Sequence, residues 1–215
     1  MVSASSDYRL GRNQRPKMLW LLLVAAACVF PALMMRRKQK NFKGRKIKTV
    51  VVLGSGGHTT EMLSMLSSLT MTEFSSFVFL IAATDRMSEV KLRALFNDPY
   101  IRRTPRAREV GQSWLSSIFT TAIAILHAIR IVWTERPDLV LTNGPGTCVP
   151  VAYTAWLLRI LFIKDCRIVF VESVARVNSI SLSGKLMYPI ADRFLVQWPG
   201  LAQKYSRAKY VGFVI

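Results

Sequence analysis

Residues 50–66 read VVVLGSGGHTTEMLSML and join two different hydrophobic periodicities. Before the glycines, the β-branched and aliphatic run from Ile47 to Leu53 predicts a buried strand. After them, apolar residues recur at helical spacing, at Met62, Leu63, Leu66 and Leu69. The segment is therefore predicted to be a strand, a tight glycine turn and the start of a helix.

The chemistry of this junction narrows the kind of ligand it suits. Glycines expose main-chain N–H groups, and a helix start adds unpaired donors and partial positive charge. An anionic or polyhydroxyl ligand fits that environment. The dinucleotide fingerprint G-x-G-x-x-G fails, because Thr59 stands where the third glycine belongs. A plain turn without a ligand is the alternative.

His58 follows the glycine pair at the carboxyl end of the first predicted strand. Open α/β sheets bind ligands in the crevice at this edge, and an imidazole takes up a proton near neutral pH. His58 is therefore a candidate general base. The alternative is a histidine that only caps the helix or bonds a loop carbonyl.

The first 46 residues are predicted to tether the chain to a membrane. Residues 18–35 form an uncharged apolar run, predicted to be a transmembrane anchor after a short lumenal segment, 1–17. A basic linker, 36–46, follows, so more Lys and Arg lie after the run than before it. This asymmetry places the remaining domain on the cytosolic face. A cleaved signal peptide is the alternative.

Charge and cysteine usage agree with that placement. The net charge is +18, and the first 46 positions hold 11 of the 30 basic residues but one of the 12 acidic ones. Such a segment attracts anionic lipid, whereas a basic stripe interleaved with aromatics, typical of nucleic-acid binding, is missing from the sequence. Cys28 lies in the apolar run, and neither Cys148 nor Cys166 belongs to a metal-like pair, which suits a reducing compartment.

Strands and helices alternate through the rest of the chain. The further predicted strands are 77–83, 138–142, 167–171 and 192–197, and the further predicted helices are 87–96, 114–133, 149–163, 184–190 and 199–205. The pattern predicts an α/β fold, a doubly wound and mostly parallel sheet behind one anchor. Most of the wide apolar face of helix 114–133 is expected to pack on the sheet, and its Trp114 end to reach a membrane surface.

Polar residues follow other predicted strands at the same edge. Asn143, Gly144 and Gly146 repeat the strand-to-glycine-turn design, and Glu172 ends another strand. Glu172 either meets a ligand or the imidazole, or caps the turn after it. The run of arginines around Pro105 is either a solvated loop or a phosphate contact. Asp85 lies where a dinucleotide-binding enzyme has the acidic residue that hydrogen-bonds the ribose of its cofactor. A membrane-bound NAD(P)-dependent oxidoreductase is therefore an alternative function for the chain.

Several motifs in order resemble a known family. GSGGHTTEML, REVGQSW, TNGPGTCVP, the VES turn and DRFLVQWP followed by VGFVI resemble the membrane-anchoring subunit of the UDP-N-acetylglucosamine transferase of asparagine-linked glycosylation. The likeness extends over residues 47–215. A more distant one is to the N-terminal half of the bacterial N-acetylglucosaminyltransferase of peptidoglycan synthesis, a GT-B enzyme.

The resemblance implies a split, inverting enzyme that is inactive as this chain alone. The chain would be a Rossmann-like acceptor-side domain on the endoplasmic reticulum, and a soluble cytosolic subunit would hold the donor, UDP-GlcNAc. The heterodimer would add the second GlcNAc to dolichyl-diphosphate-GlcNAc. The sequence contains no D-x-D pair, so a metal-held nucleotide diphosphate is not indicated, and no tightly bound cofactor is expected. The heterodimer could also join a larger assembly with the first mannosyltransferase or the GlcNAc-phosphate transferase of the pathway. A purely scaffolding recruiter is the alternative.

The resemblance also implies roles for individual residues. His58 and Glu172 would be catalytic, although a histidine precedes the glutamate in the bacterial relative and Val171 stands there here. The expected acceptor and diphosphate contacts are Ser55, Gly56, Gly57, Thr59, Arg86, Arg106, Arg108, Asn143, Gly144, Gly146 and Ser173. The expected partner-binding tail is Val211, Gly212, Phe213, Val214 and Ile215, where the one-chain bacterial relative begins its hinge.

Overall fold

The computed structural model describes residues 46–69, 74–106 and 114–214. Its strands are β1 (Ile47–Val52), β2 (Phe74–Ala82), β3 (Ile101–Thr104), β4 (Leu139–Thr142), β5 (Arg167–Val171), β6 (Arg193–Val196) and β7 (Ala208–Tyr210). They form one sheet in the order β3-β2-β1-β4-β5-β6-β7. Every pairing in it is parallel, which confirms the predicted α/β class.

Helices connect the strands and cover both faces of the sheet. They are α1 (Gly57–Ser67), α2 (Arg86–Leu95), α3 (Trp114–Glu135), α4 (Cys148–Ile160), α5 (Leu182–Met187) and α6 (Pro199–Lys204). One hydrophobic core joins the sheet to α3, α4, α5 and α6, and a second joins its other face to α1 and α2. Burial on both faces explains why the central strands are continuous apolar runs.

The order of the strands locates the crevice. The chain moves from β1 outward through β2 to β3, then returns to place β4 on the other side of β1. The turns after β1 and β4 therefore leave the sheet side by side at its carboxyl edge. Open α/β sheets bind ligands at such a switch point.

The buried face of α3 differs from the expectation. Ala124, Ala128, Ile131 and Val132 are buried, whereas most of the larger residues expected to pack on the sheet are exposed: Phe119, Ile125, Leu126 and Ile129. The prediction that most of the wide apolar face packs on the sheet is therefore wrong. Small alanines allow the helix to approach its neighbours closely, and this decides which face is buried.

Two short edge strands were missing from the prediction. The sequence analysis places the residues of β3 in an arginine-rich run that is either a solvated loop or a phosphate contact, and it predicts no strand after 192–197, whereas the structure has β7 there. β3 is held in place by contacts distant in sequence, since Arg102 pairs with Glu135 of α3 and Arg103 pairs with Glu89 of α2. These contacts favour the strand where the local sequence does not.

The predicted anchor, 18–35, with its flanking segments 1–17 and 36–45, lies outside the described residues. Within the described ranges, none of the helices combines the length and the apolar character needed to cross a membrane.

Candidate functional site

The turns after β1 and β4 pack directly against each other. A Cβ atom on Gly54 would lie 2.8 Å from Cβ of Pro145 and 2.9 Å from Cβ of His58, so only glycine permits this approach. Asn143, at the end of β4, donates from its amide nitrogen to the carbonyl oxygen of His58 over 2.5 Å. The structure thus brings together His58, Asn143 and Gly144, as predicted.

The N-terminus of α1 is open to a ligand. Gly56 is the N-cap with φ +66°, a left-handed conformation that favours glycine, and no side chain caps the helix. Ser55, Gly56 and Gly57 are exposed, and the first turn carries no acidic residue. The main-chain N–H donors and the helix dipole are therefore available to an anion.

The hydroxyl of Thr59 is turned inward. It is fully buried and donates to the carbonyl oxygen of Gly54, and it lies 2.5 Å from Oγ of Ser88. Asp85 belongs to the same cluster, because its carboxylate caps α2 and accepts from the hydroxyl of Ser88 at 2.7 Å. Thr59 would have to break these bonds to reach a diphosphate, and Asp85 is engaged where a ribose contact would be needed.

Glu172 is wholly buried at the end of β5. Its Oε2 accepts from the main-chain N–H of Ser181 at 2.8 Å and from the Ser181 hydroxyl at 3.2 Å. Burial raises the pKa of its carboxyl group, against the opposing effect of the Ser181 hydrogen bonds. This geometry matches the alternative role given to Glu172, the capping of the following turn. Its catalytic role stays a prediction.

The arginines predicted to contact phosphates fall into two groups. Arg86 and Arg106 follow β2 and β3 at the carboxyl edge, and neither forms an ion pair with another residue that the structure describes. Arg102 and Arg103 are engaged with Glu135 and Glu89. Arg108 lies outside the described residues.

Glu61 is a residue of the site that the sequence analysis missed. It lies one turn after His58 on α1, is 8% exposed, and its Oε1 accepts from the hydroxyl of Ser173 at 2.7 Å. Its Oε2 is buried and, among the described residues, has no hydrogen-bond partner. The same holds for Oδ1 of Asn143 and Nδ1 of His58. The sequence did contain a signal for this residue. Glu61 lies four residues before the apolar Met65, so the two side chains share one face of the helix.

In the C-terminal segment, residues 211–214, some side chains are exposed to solvent and one packs against the domain. The main-chain N–H of Val214 donates to Oε1 of Gln197 at 3.1 Å, and the Val214 side chain packs against the second core. Phe213 is exposed and stands edge-on to Trp198, with ring centroids 5.0 Å apart. Val211 and Phe213 thus face outward, as partner-binding residues would, and Ile215 lies outside the described residues.

Comparison with solved structures places the fold. The MurG of Acinetobacter baumannii superposes with a TM-score of 0.57 at 14% identity, covering 72% of this chain and 42% of that one. At this identity the likeness shows the fold alone. The chain thus corresponds to less than half of that protein.

Comparison with sequences identifies the family. The UDP-N-acetylglucosamine transferase subunit ALG14 of Yarrowia lipolytica is 41% identical over 209 residues, covering 92% of this chain and 94% of that protein. The human subunit of the same name is 44% identical over 181 residues, covering 79% and 83%. Residues 49–214 match the family model described as oligosaccharide biosynthesis protein Alg14 like. The chain belongs to the Alg14 family.

Proposed function

We propose that this chain is the membrane-anchoring, acceptor-binding subunit of the UDP-GlcNAc transferase that adds the second GlcNAc to dolichyl-diphosphate-GlcNAc. It recruits a soluble, donor-binding subunit to the cytosolic face of the endoplasmic reticulum. The observation that carries the proposal is the Alg14 family match across residues 49–214, which includes the turns after β1 and β4 and all of the described sheet except the first two residues of β1. The relatives are named as subunits, which supports a divided enzyme.

The site suits the acceptor in a divided reaction. The open N-terminus of α1 offers N–H donors to a diphosphate, and Arg86 and Arg106 add positive charge at the same edge. His58 stands beside these groups, where it can take the proton of the attacking GlcNAc hydroxyl. That oxygen forms a bond to C1 of the donor sugar as the bond from C1 to UDP breaks.

An exposed helix face supports contact with a membrane surface besides the predicted anchor. On α3, Phe119 is 74% and Leu126 66% exposed, and Ile123 and Trp133 continue the same stripe. Arg130, also exposed, lies on that helix. Apolar side chains with basic neighbours suit the boundary of an anionic bilayer, and the chain carries a net charge of +18.

The oxidoreductase alternative loses its support. Asp85 caps α2 instead of facing a ribose, the third glycine of the fingerprint is missing, and the relatives are named as transferase subunits. A scaffold without catalytic residues keeps the same fold and partner, so it is tested directly.

The experiment co-expresses the full chain with its soluble subunit and measures GlcNAc transfer from UDP-GlcNAc to dolichyl-diphosphate-GlcNAc. We expect transfer by the pair and none by either chain alone. His58→Ala is expected to lower turnover at least about 100-fold while the pair still co-purifies, because a proton-transfer group is lost.

The outcomes separate the hypotheses. Transfer by this chain alone contradicts the divided enzyme, and no transfer by the intact pair contradicts the proposed function. A His58→Ala pair that retains nearly full turnover favours the scaffold. Thr60→Ala is the matched control, since Thr60 is exposed on α1 and hydrogen-bonds Lys91 of α2.

A further inference from the structure

One of the two ring nitrogens of His58 is closed off from the crevice. Nδ1 is buried, and it has no hydrogen-bond partner within the part of the chain that the structure describes. The residue as a whole is partly exposed, so a ligand in the crevice can approach only the other nitrogen, Nε2. If His58 takes the proton of an attacking hydroxyl, Nε2 is therefore the atom that takes it.

This assignment determines where the proton of the neutral ring must lie. A neutral imidazole carries one N–H group, and its other nitrogen is the one that accepts. Nε2 can act as a base only while the ring proton is on Nδ1. A buried N–H group needs an acceptor, so the choice between the two tautomers depends on what surrounds Nδ1.

The Nδ1 edge of the ring lies against the turn after β4. A Cβ atom placed on Gly144 would be 3.5 Å from Cε1 and 3.9 Å from Nδ1 of His58. The residue before it, Asn143, is 1% exposed, and its amide nitrogen donates to the carbonyl oxygen of His58 at 2.5 Å. Residues 143 and 144 therefore lie next to both the main chain and the ring of His58.

The amide oxygen of Asn143 is an acceptor that lacks a donor. The carbonyl oxygen of His58 can only accept, so the amide nitrogen of Asn143 must face it and the amide oxygen is left over. This oxygen, Oδ1, is buried and has no partner among the described residues. The void that Asn143 lines is too small to hold a water molecule, so a donor for Oδ1 must come from the protein itself.

Nδ1 of His58 and Oδ1 of Asn143 can satisfy each other. Both are buried and unpaired, and their residues are already joined by one hydrogen bond. The two atoms are not bonded to each other in the structure. Turning an imidazole about χ2, a broad torsion, costs less than leaving a buried donor and a buried acceptor unpaired.

Glu61 is less suited to be the partner of Nδ1. Its Oε2 is also buried and unpaired, but its other oxygen is bound to the hydroxyl of Ser173, which follows β5. The void beside the carboxylate is lined by Asn143 and Gln197 and not by His58. Asn143 thus lies between Glu61 and the imidazole.

We propose that Asn143 is a positioning residue for His58 and not a direct contact of the acceptor. Its amide nitrogen holds the main chain of His58, and its amide oxygen accepts from Nδ1–H, which keeps Nε2 free of hydrogen and open to the crevice. The inference rests on the proposed function. In the reaction, Nε2 takes the proton of the attacking GlcNAc hydroxyl, the hydroxyl oxygen bonds to C1 of the donor sugar, and UDP leaves with the electron pair of the broken bond.

The first test needs no catalysis. The full chain is purified in detergent with nitrogen-15 in its histidine rings, and the ring shifts are measured by NMR at a pH where the imidazole is neutral. The chain has two histidines, so His127→Gln assigns the signals of His58. We expect the Nδ1–H tautomer in the wild type and in Asn143→Asp, which keeps an oxygen for Nδ1, and the Nε2–H tautomer in Asn143→Ala.

The second test measures turnover by the full chain assembled with its soluble subunit. Asn143→Ala is expected to lower kcat about 10-fold or more and to change the KM for dolichyl-diphosphate-GlcNAc less than about threefold, because Asn143 acts through His58. In a His58→Ala background the same substitution should add almost nothing. Thr154→Ala is the matched control, since Thr154 is also buried and its hydroxyl donates to a carbonyl oxygen, that of Pro150 in α4, at 2.8 Å.

Three results would overturn the proposal. They are an Nε2–H tautomer in the wild type, a tautomer that Asn143→Ala leaves unchanged, and a KM for the lipid that rises while kcat stays the same. Asn143→Asp keeps the size of the side chain and carries the kinetic comparison if the alanine variant does not assemble. If the wild-type pair transfers no sugar, the proposed function fails, and the NMR measurement still decides whether Asn143 sets the tautomer of His58.

Discussion

At the scale of single residues, the site depends on one close approach. Because Gly54 has no Cβ atom, Pro145 and His58 can occupy the space where that atom would lie, and this joins the turn after β1 to the turn after β4. Asn143 then bonds the main chain of His58 across the same junction. The backbone of His58 is therefore held both by the close approach at Gly54 and by the amide of Asn143.

Gly54→Ala is predicted to destabilise the chain and displace the site. The added methyl would lie 2.8–2.9 Å from Pro145 and His58, closer than carbon atoms pack, so the two turns must separate. We expect a loss of about 1–3 kcal/mol in the free energy of unfolding, read from denaturant unfolding of the purified chain. Transfer by the assembled pair should fall further than stability alone explains.

Gly200→Ala is the matched control for that measurement. A Cβ atom on Gly200 meets nothing within 4 Å, and this residue lies in the first turn of α6, away from the His58 junction. Equal stability of the two alanine variants would contradict the close-approach argument.

At the scale of elements, ion pairs fasten the helices to the amino edge of the sheet. Glu135, at the end of α3, accepts from Lys48 of β1 at 2.9 Å and from Arg102 of β3 at 2.8 Å. Burial by itself raises the pKa of Glu135, but the hydrogen bonds from Lys48 and Arg102 outweigh it and leave the pKa below its ordinary value. Glu135 thus joins α3 to two strands on the edge opposite the site.

Glu135→Gln is predicted to lower stability in a pH-dependent way. A carboxyl group whose pKa is lowered by folding stabilises the fold above its unfolded pKa, and this contribution is lost as the pH falls through the folded pKa. The variant should therefore lose about 1–2 kcal/mol at pH 7, less than a fully buried pair because Lys48 and Arg102 are partly exposed. The difference from wild type should shrink below about pH 4.5, the ordinary value for this group.

Urea unfolding at pH 7 and pH 4 checks this sign. Glu89→Gln serves as the comparison, since Glu89 pairs with two exposed arginines and its loss should matter less. A Glu135→Gln variant whose deficit grows on acidification would show that the ion pairs are not the cause.

At the scale of the whole molecule, the described domain superposes on less than half of the solved MurG chain. In its C-terminal segment, the exposed Phe213 lies next to Val214, which is held against the domain. Val214 is tied to Gln197 and packs on the core, whereas Phe213 is 57% exposed against Trp198. An aromatic residue fixed at a surface by its neighbours suits the centre of a protein interface.

Phe213→Ser is predicted to release the soluble subunit while leaving this domain folded. Removing an aromatic anchor typically weakens binding by about 2 kcal/mol or more, roughly 30-fold, so the partner should move from the membrane fraction to the supernatant. This substitution is sharper than deletion of residues 211–215, because the deletion also removes Val214 from the core.

Phe162→Ser provides the comparison for recruitment. Phe162 is similarly exposed, at 60%, but lies just after α4, whose C-terminal end is at the opposite edge of the sheet. Retention of the partner on membranes with Phe213→Ser, at the level of wild type or of Phe162→Ser, would show that the segment does not recruit it.

The sequence by itself determined the parallel α/β class and the junction that holds His58. The strand at residues 47–52, the glycine turn and α1 are local features, since hydrophobic period and glycine conformation depend on neighbours in the chain. The meeting of His58 with Asn143 was also accessible, because successive parallel strands end at one edge of a sheet.

Tertiary contacts alone decided the rest. Strand β3 is held by ion pairs to Glu89 and Glu135, which lie on helices. The hydroxyl of Thr59 faces inward because it contacts Ser88. The buried carboxylate of Glu61 accepts a hydrogen bond from Ser173, which lies in a distant part of the chain. Likewise, only packing selected the alanine face of α3 over its larger apolar residues. The physical reason is the same throughout: a residue type shows which bonds a side chain can make, whereas burial and the choice of partner depend on which surfaces the fold brings together.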